Sequence, residues 1–161
     1  MWIVAKIKPG QCSIFKQQLN TKFNKVVYYE PKIFCKGKRI DKEKNILGNY
    51  IFCFHEKFNE SNNLKEATYI KGLNYFLDGC INSQNEIVNF VDFCKKNENK
   101  YGHLTQNFFS NFNLKKGKFI NGPLANLVFE IVSNKKNYLN IILGKRDIKI
   151  AKNFDFVYLP A

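Results

Sequence analysis

The chain has 161 residues, 45% of them hydrophobic and 16% aromatic, and a formal net charge of +13. That apolar content supports a packed core and excludes disorder throughout, while no apolar run approaches the roughly 20 residues that a bilayer-spanning helix needs. The cysteines, at 12, 35, 53, 80 and 94, are odd in number and form no Cys-x-x-Cys pair, so reduced, packing thiols are expected rather than a disulfide framework or a metal site.

The opening residues lack the basic, apolar, small-residue order of a secretory signal. A cytoplasmic protein, monomeric and without a membrane partner or cofactor, is expected. Lysine supplies nearly all the basic charge, since Arg39 and Arg146 are the only arginines. A nucleotide-biased genome also favours lysine, so the distribution of charge says more than the total. Residues 1–58 carry +8, residues 59–94 carry −3 and residues 95–161 carry +8. Two basic segments around an acidic one point to a basic face for a polyanion such as nucleic acid.

Met1 to Lys8 alternates, with Trp2, Val4 and the Lys6 stem on one face and Ile3, Ala5 and Ile7 on the other. This predicts a first strand, ended by Pro9-Gly10. Gln11 to Phe23 places Phe15, Leu19 and Phe23 at helical spacing, with Ser13 as its expected cap. Val26 to Tyr29 and Lys32 to Cys35 read as extended, separated by Glu30-Pro31. Lys36-Gly37-Lys38-Arg39 is a basic turn and Ile40 to Asn45 a charged loop, together the tip of a long hairpin. Gly48-Asn49 turns the chain into Tyr50–Phe54, a run short and aromatic enough for a central strand buried on both faces.

Residues 55 to 63 are polar. A short helix is expected over Leu64–Ile70, then a strand over Leu73–Leu77 closed by Asp78-Gly79. Ile87, Val88, Val91 and Cys94, with Phe90 beside them, predict a second amphipathic helix. Residues 95–112, rich in Asn and Lys, read as a linker whose Phe108, Phe109 and Phe112 pack against something. Five short strands follow, over 118–120, 128–132, 138–143, 147–151 and 156–159, the pattern of a small barrel. Leu124, Leu127, Val128, Ile131 and Val132 also fit a helical stripe, so that segment stays open between strand and helix. The domain reading is 1–94, a linker over 95–112, and 113–161.

No Ser/His/Asp, Cys/His or Gly-rich phosphate motif stands out, and the carboxylates are scattered, so an enzyme is not expected.

The order of parts resembles the NusG family of transcription elongation factors. The resemblance rests on Trp2…Pro9-Gly10-Gln11, the basic hairpin, Leu47-Gly48-Asn49-Tyr50, Lys71-Gly72-Leu73…Phe76, Lys116-Gly117-Lys118 and Asn121-Gly122-Pro123-Leu124-Ala125. It covers nearly the whole chain and is closest in style to the specialised RfaH-like branch. Leu47 and Gly48 depart from the family's usual Phe-Pro, and the second glycine of the C-terminal motif is absent near Val128 or Phe129.

The resemblance implies an α+β protein, with an α/β sandwich of NusG type before a small C-terminal KOW β-barrel. In RfaH-like members that last domain also adopts a helical hairpin. It implies no catalysis. The N-terminal domain would bind the clamp helices of RNA polymerase through a pocket at Leu47, Tyr50, Phe52 and Phe76, where aromatics give large contact area. The exposed non-template DNA strand would meet Lys8, Gln11 and Lys71, with Lys16 and Arg39 as neighbours. Pro9 and Ile14 stand where relatives carry DNA contacts, which implies a different sequence preference. The C-terminal domain would recruit a ribosome or termination factor. A housekeeping NusG and a general RNA- or ribosome-binding KOW protein stay open as alternatives.

Overall fold

The alternation at the start of the chain becomes strand β1 (Trp2–Ile7), whose odd residues Ile3, Ala5 and Ile7 enter one core while Val4 enters another. In this computed structural model the residues described are 1–35, 42–110, 112, 114–120, 122, 124–151 and 158–161. They form an α+β protein of two units. The first comprises Met1–Pro31 and Asn45–Cys94, the second Lys32–Lys44 and Lys95–Ala161.

The first unit is built on an antiparallel sheet of β2 (Val27–Tyr29), β5 (Tyr50–Phe54), β1 and β6 (Leu73–Phe76), in that order. Both β1 and β5 are interior strands, and β5 is buried on its two faces: Ile51 and Cys53 in one core, Phe52 in the other. Helix α1 (Cys12–Phe23) buries Phe15, Leu19 and Phe23 against the first face. Side chains of this kind contribute roughly 1.5–3 kcal/mol each. Ser13 does not cap α1. Gly10 turns the chain at φ +73°, so the helix starts at Cys12, Ser13 already lies inside its first turn, and Gln11 holds the cap position.

A 3-10 turn over Glu56–Asn59 buries Phe58 within the segment expected to be only polar, and α2 (Ser61–Ala67) begins earlier than the expected helix. On the opposite face lies α3 (Gln84–Lys96), which buries Ile87, Val91 and Cys94. Val88 stays exposed because it lies one residue round the helix from that stripe.

Gln84, at the start of α3, substitutes for a strand partner at the beginning of β1. Its Oε1 accepts from the Trp2 N–H at 2.9 Å, and its Nε2 donates to the Trp2 carbonyl at 2.7 Å. Gln84→Ala leaves that peptide unit unpaired, and a loss of about 1–3 kcal/mol is expected. Denaturation followed by the fluorescence of Trp2, the single tryptophan, checks it. An unchanged midpoint would mean that water replaces the amide without penalty.

In the second unit, β3 (Lys32–Cys35) and β4 (Lys42–Asn45) form a two-stranded sheet. Strand β4 replaces the loop expected there. It contains no apolar residue and is held by polar contacts instead. The His103 ring Nε2 lies 2.8 Å from Glu43 Oε1, and Lys32 Nζ lies 3.3 Å from Glu43 Oε2. Leu104 N–H donates to the Lys32 carbonyl at 2.7 Å, and the rings of Phe34 and His103 stand 5.4 Å apart. The hydrogen bond with His103, then Lys32, holds the Glu43 carboxyl below its ordinary pKa. The basic turn Lys36–Arg39 lies outside the described residues.

The segment 95–112, read from sequence as a linker, carries α4 (Gln106–Ser110) and buries Leu104, Phe108 and Phe109. Beyond it, β7 (Lys116–Phe119), β8 (Val128–Asn134), β9 (Tyr138–Leu143), β10 (Arg146–Ala151) and β11 (Tyr158–Pro160) pair in the order β10-β9-β8-β7-β11. No ladder joins β10 to β11 among the described residues. All five strands nevertheless contribute to one core of Phe119, Phe129, Leu139, Ile141, Ile150 and Tyr158, so the sheet wraps round it. Residues 128–134 are strand, with Phe129 buried and its neighbours Val128 and Glu130 exposed.

Candidate functional site

Loop 45–49 brings the site together in the first unit. The Asn45 side chain accepts from Leu47 N–H at 2.9 Å and donates to the Tyr50 carbonyl at 2.8 Å, clamping both ends of the turn. Gly48 supplies the positive φ of 67° that the turn requires. Leu47 is thereby set over the sheet face that α3 covers in part. The uncovered part is a groove of about 570 Å³, lined by Val4, Ile46, Leu47, Tyr50, Phe52, Leu77, Glu86, Ile87 and Phe90. Aromatic packing fixes its floor, with the Phe52 ring 5.7 Å from Phe90 and 6.2 Å from Tyr29.

Tyr50 carries the groove into a polar row. Lys6 pairs in register with Tyr50 of β5 on one side and Tyr75 of β6 on the other. Lys6 Nζ donates to Tyr50 Oη at 3.3 Å, and the two phenol oxygens are 3.0 Å apart. The ammonium also stands 4.6 Å from the Tyr50 ring centre, within cation–π range. The hydrogen bond with Tyr75, then that with Lys6, pushes the Tyr50 phenol below its ordinary pKa, while the bond with Tyr50 raises the phenol of Tyr75. The same contact with Tyr50 raises Lys6.

Of the four pocket residues expected from sequence, Leu47, Tyr50 and Phe52 line this groove, and Phe76 does not. Phe76 pairs with Ala5 and packs into the core on the α1 side of the sheet. Its neighbours in sequence, Tyr75 and Leu77, face the groove side, so the expectation misses by one residue, which in a strand is the other face. Val4, Ile46, Leu77, Glu86, Ile87 and Phe90 were missed as site residues. Ile87 and Phe90 carried a signal in the stripe of α3; Leu77 and Ile46 carried none beyond being apolar at the ends of elements.

The expected nucleic-acid residues fall into three groups. Lys8, Gln11 and Lys71 meet at one corner: Lys8 N–H donates to the Gly72 carbonyl at 2.9 Å, and Gln11 N–H to the Lys8 carbonyl at 3.1 Å. Lys71 N–H is held by Gln18 Oε1 at 2.8 Å, and the Lys8 and Lys71 side chains are exposed. Lys16 instead pairs with Glu30 at 2.6 Å and lies over the Tyr28 ring, so its charge is already compensated. Arg39 lies outside the described residues.

Cys53 is fully buried in the core on the α1 side of the sheet, and that burial raises its thiol pKa, the setting of a packing thiol. Among the described residues no group of three His, Cys, Asp or Glu side chains could hold a metal ion. No helix among them is long and apolar enough to cross a membrane.

No family model matches the chain, and no curated protein matches it. Among solved structures, similarity is found to a chain of the MjSpt4:Spt5 complex in conformation B, at 9% identity and a TM-score of 0.28, covering 100% of this chain and 98% of that one. A Thermotoga maritima NusG structure concerned with domain interaction matches at 12% identity and a TM-score of 0.33, covering 93% and 91%.

Proposed function

We propose that the protein is a transcription elongation factor of NusG type, without catalytic activity, whose first unit binds the clamp helices of RNA polymerase. The groove between β5 and α3 carries this reading. It is open, apolar and rimmed by a tyrosine, the features of a site that takes a partner's side chains. It also contains Leu47, Tyr50 and Phe52, at which the sequence resemblance puts the polymerase contact. The corner of Lys8, Gln11 and Lys71 would meet the non-template DNA strand, with lysines on phosphates and the glutamine amide at a base edge. Bridging clamp and DNA would favour the active state of polymerase and suppress pausing. The second unit would recruit a further partner, such as a ribosome or a termination factor.

The test is capture of RNA polymerase by the tagged full-length chain, beside a Leu47→Ala/Tyr50→Ala variant. Wild-type capture is expected, with affinity in the variant down by about 100-fold or more, as for the loss of central anchor residues. Matched circular dichroism would show that the variant stays folded. Failure of the wild type to bind polymerase, together with firm binding to RNA or ribosomes alone, would replace this reading with that of a general RNA-binding protein.

A further inference from the structure

We propose that Lys6 and Glu86 fix the charge register of a helix seated in the groove, Lys6 taking a carboxylate and Glu86 a basic side chain of that helix. The proposal rests on the polymerase reading for the identity of the helix, but its observations are separate.

The first observation is the construction of the groove. Its walls are side chains from the face of a sheet, from α3 and from loop 45–49, rather than a free strand edge. An extended peptide lying there would bury backbone N–H and C=O groups over Phe52, Leu77 and Phe90 with no ladder to satisfy them. That burial is unfavourable. A helix satisfies its own backbone and presents side chains only, so the occupant is an amphipathic helix with an apolar stripe.

The second observation is charge. Lys6 is held among Tyr50 and Tyr75 beside the groove, and Glu86 belongs to the lining itself. Among the described residues neither has an ion-pair partner, whereas Lys16, Lys22, Lys32 and Lys116 each have one. Lys6 keeps donor capacity beyond its bond to Tyr50, since an ammonium has three. Its position is set by a cross-strand row and not left to a floppy stem. A docked helix would cover both charges, and an unpaired charge at a covered surface is strongly unfavourable. A helix lacking the complementary charges is therefore rejected, which gives the groove selectivity that apolar contact alone does not supply.

The experiment measures the affinity of the full-length protein for purified RNA polymerase at low and high salt. The proteins compared are the wild type, Lys6→Met, Lys6→Glu, Glu86→Gln and Glu86→Lys. Their thermal melts are compared first, and both residues are accessible enough that folding should be retained. Lys6→Met and Glu86→Gln are each expected to weaken binding about fivefold or more and to flatten its salt dependence. The reversals Lys6→Glu and Glu86→Lys are expected to weaken it by about 100-fold. Lys6→Met or Glu86→Gln binding as tightly as the wild type, with the same salt dependence, would overturn the register while leaving the polymerase reading intact. Absence of binding by the wild type itself would remove both.

Discussion

Phe119→Ala is expected to lower the stability of the second unit by about 3–5 kcal/mol, the range for emptying a buried aromatic site. Phe119 is fully buried. Its ring stacks on Phe129 at 4.2 Å between centres and meets the edge of Tyr158 at 6.4 Å. Strands β7, β8 and β11 thus converge on one ring, and Gly117 keeps the space beside it clear. A Cβ at 117 would stand 2.7 Å from Phe129 Cζ and 3.1 Å from Tyr158 Cδ2. Small domains hold only about 5–15 kcal/mol in total, so one truncation removes a large share. Urea titration of the full chain, followed by far-ultraviolet circular dichroism, reads the change. Trp2 fluorescence reports separately on the first unit. A midpoint unmoved by Phe119→Ala would mean that this aromatic cluster does not organise the unit.

Gly72→Ala is the second large effect, about 3 kcal/mol in the first unit. Gly72 has φ +91°, a conformation that costs a side-chain-bearing residue about 1–2 kcal/mol. An added Cβ would also stand 2.9 Å from the Gln11 carbonyl oxygen and 3.2 Å from Phe15 Cβ. The first of these atoms is backbone and cannot swing aside, so the overlap adds a strain of about 1–3 kcal/mol. Gly10→Ala separates the two contributions. Its φ is +73°, yet nothing lies within 4 Å of the added carbon, so only the conformational part applies. Trp2-monitored denaturation should find Gly72→Ala clearly worse than Gly10→Ala. Equal losses would show that the close approach to Gln11 relaxes freely.

The sequence made some of this legible because single periodicities decide it. Phe15, Leu19 and Phe23 recur on one side of a helix, and Ile3, Ala5 and Ile7 on one side of a strand, so each pattern names its buried face without tertiary information. Tyr50–Phe54 announced burial on both faces because it has no polar alternation. Leu47, Tyr50 and Phe52, which only the family resemblance singles out, line the groove. What stayed hidden depends on partners distant in sequence. Strand β4 (Lys-Glu-Lys-Asn) has no hydrophobic signal, and its extended form rests on His103, sixty residues beyond Glu43. Phe76 packs on the α1 side and not in the groove, and the register shift between Lys6 and Ile7 that puts Leu73 on that same side has no signal in the sequence. Val128–Val132 satisfied helix and strand alike, and the inward Phe129, packed on Phe119, decided between them.

The chain passes between its two units after Pro31, after Lys44 and after Cys94. Such a protein cannot be dealt out like beads on a string. A gene fusion joined at residue 94, or a fragment ending there, keeps β3 and β4 but discards His103 and the Leu104 N–H that hold them. Swapping C-terminal halves between relatives would therefore leave a hairpin matched to a vanished neighbour. Recombination that preserves the fold must carry residues 32–44 and 95–161 together, so the two units are expected to be inherited as one cassette.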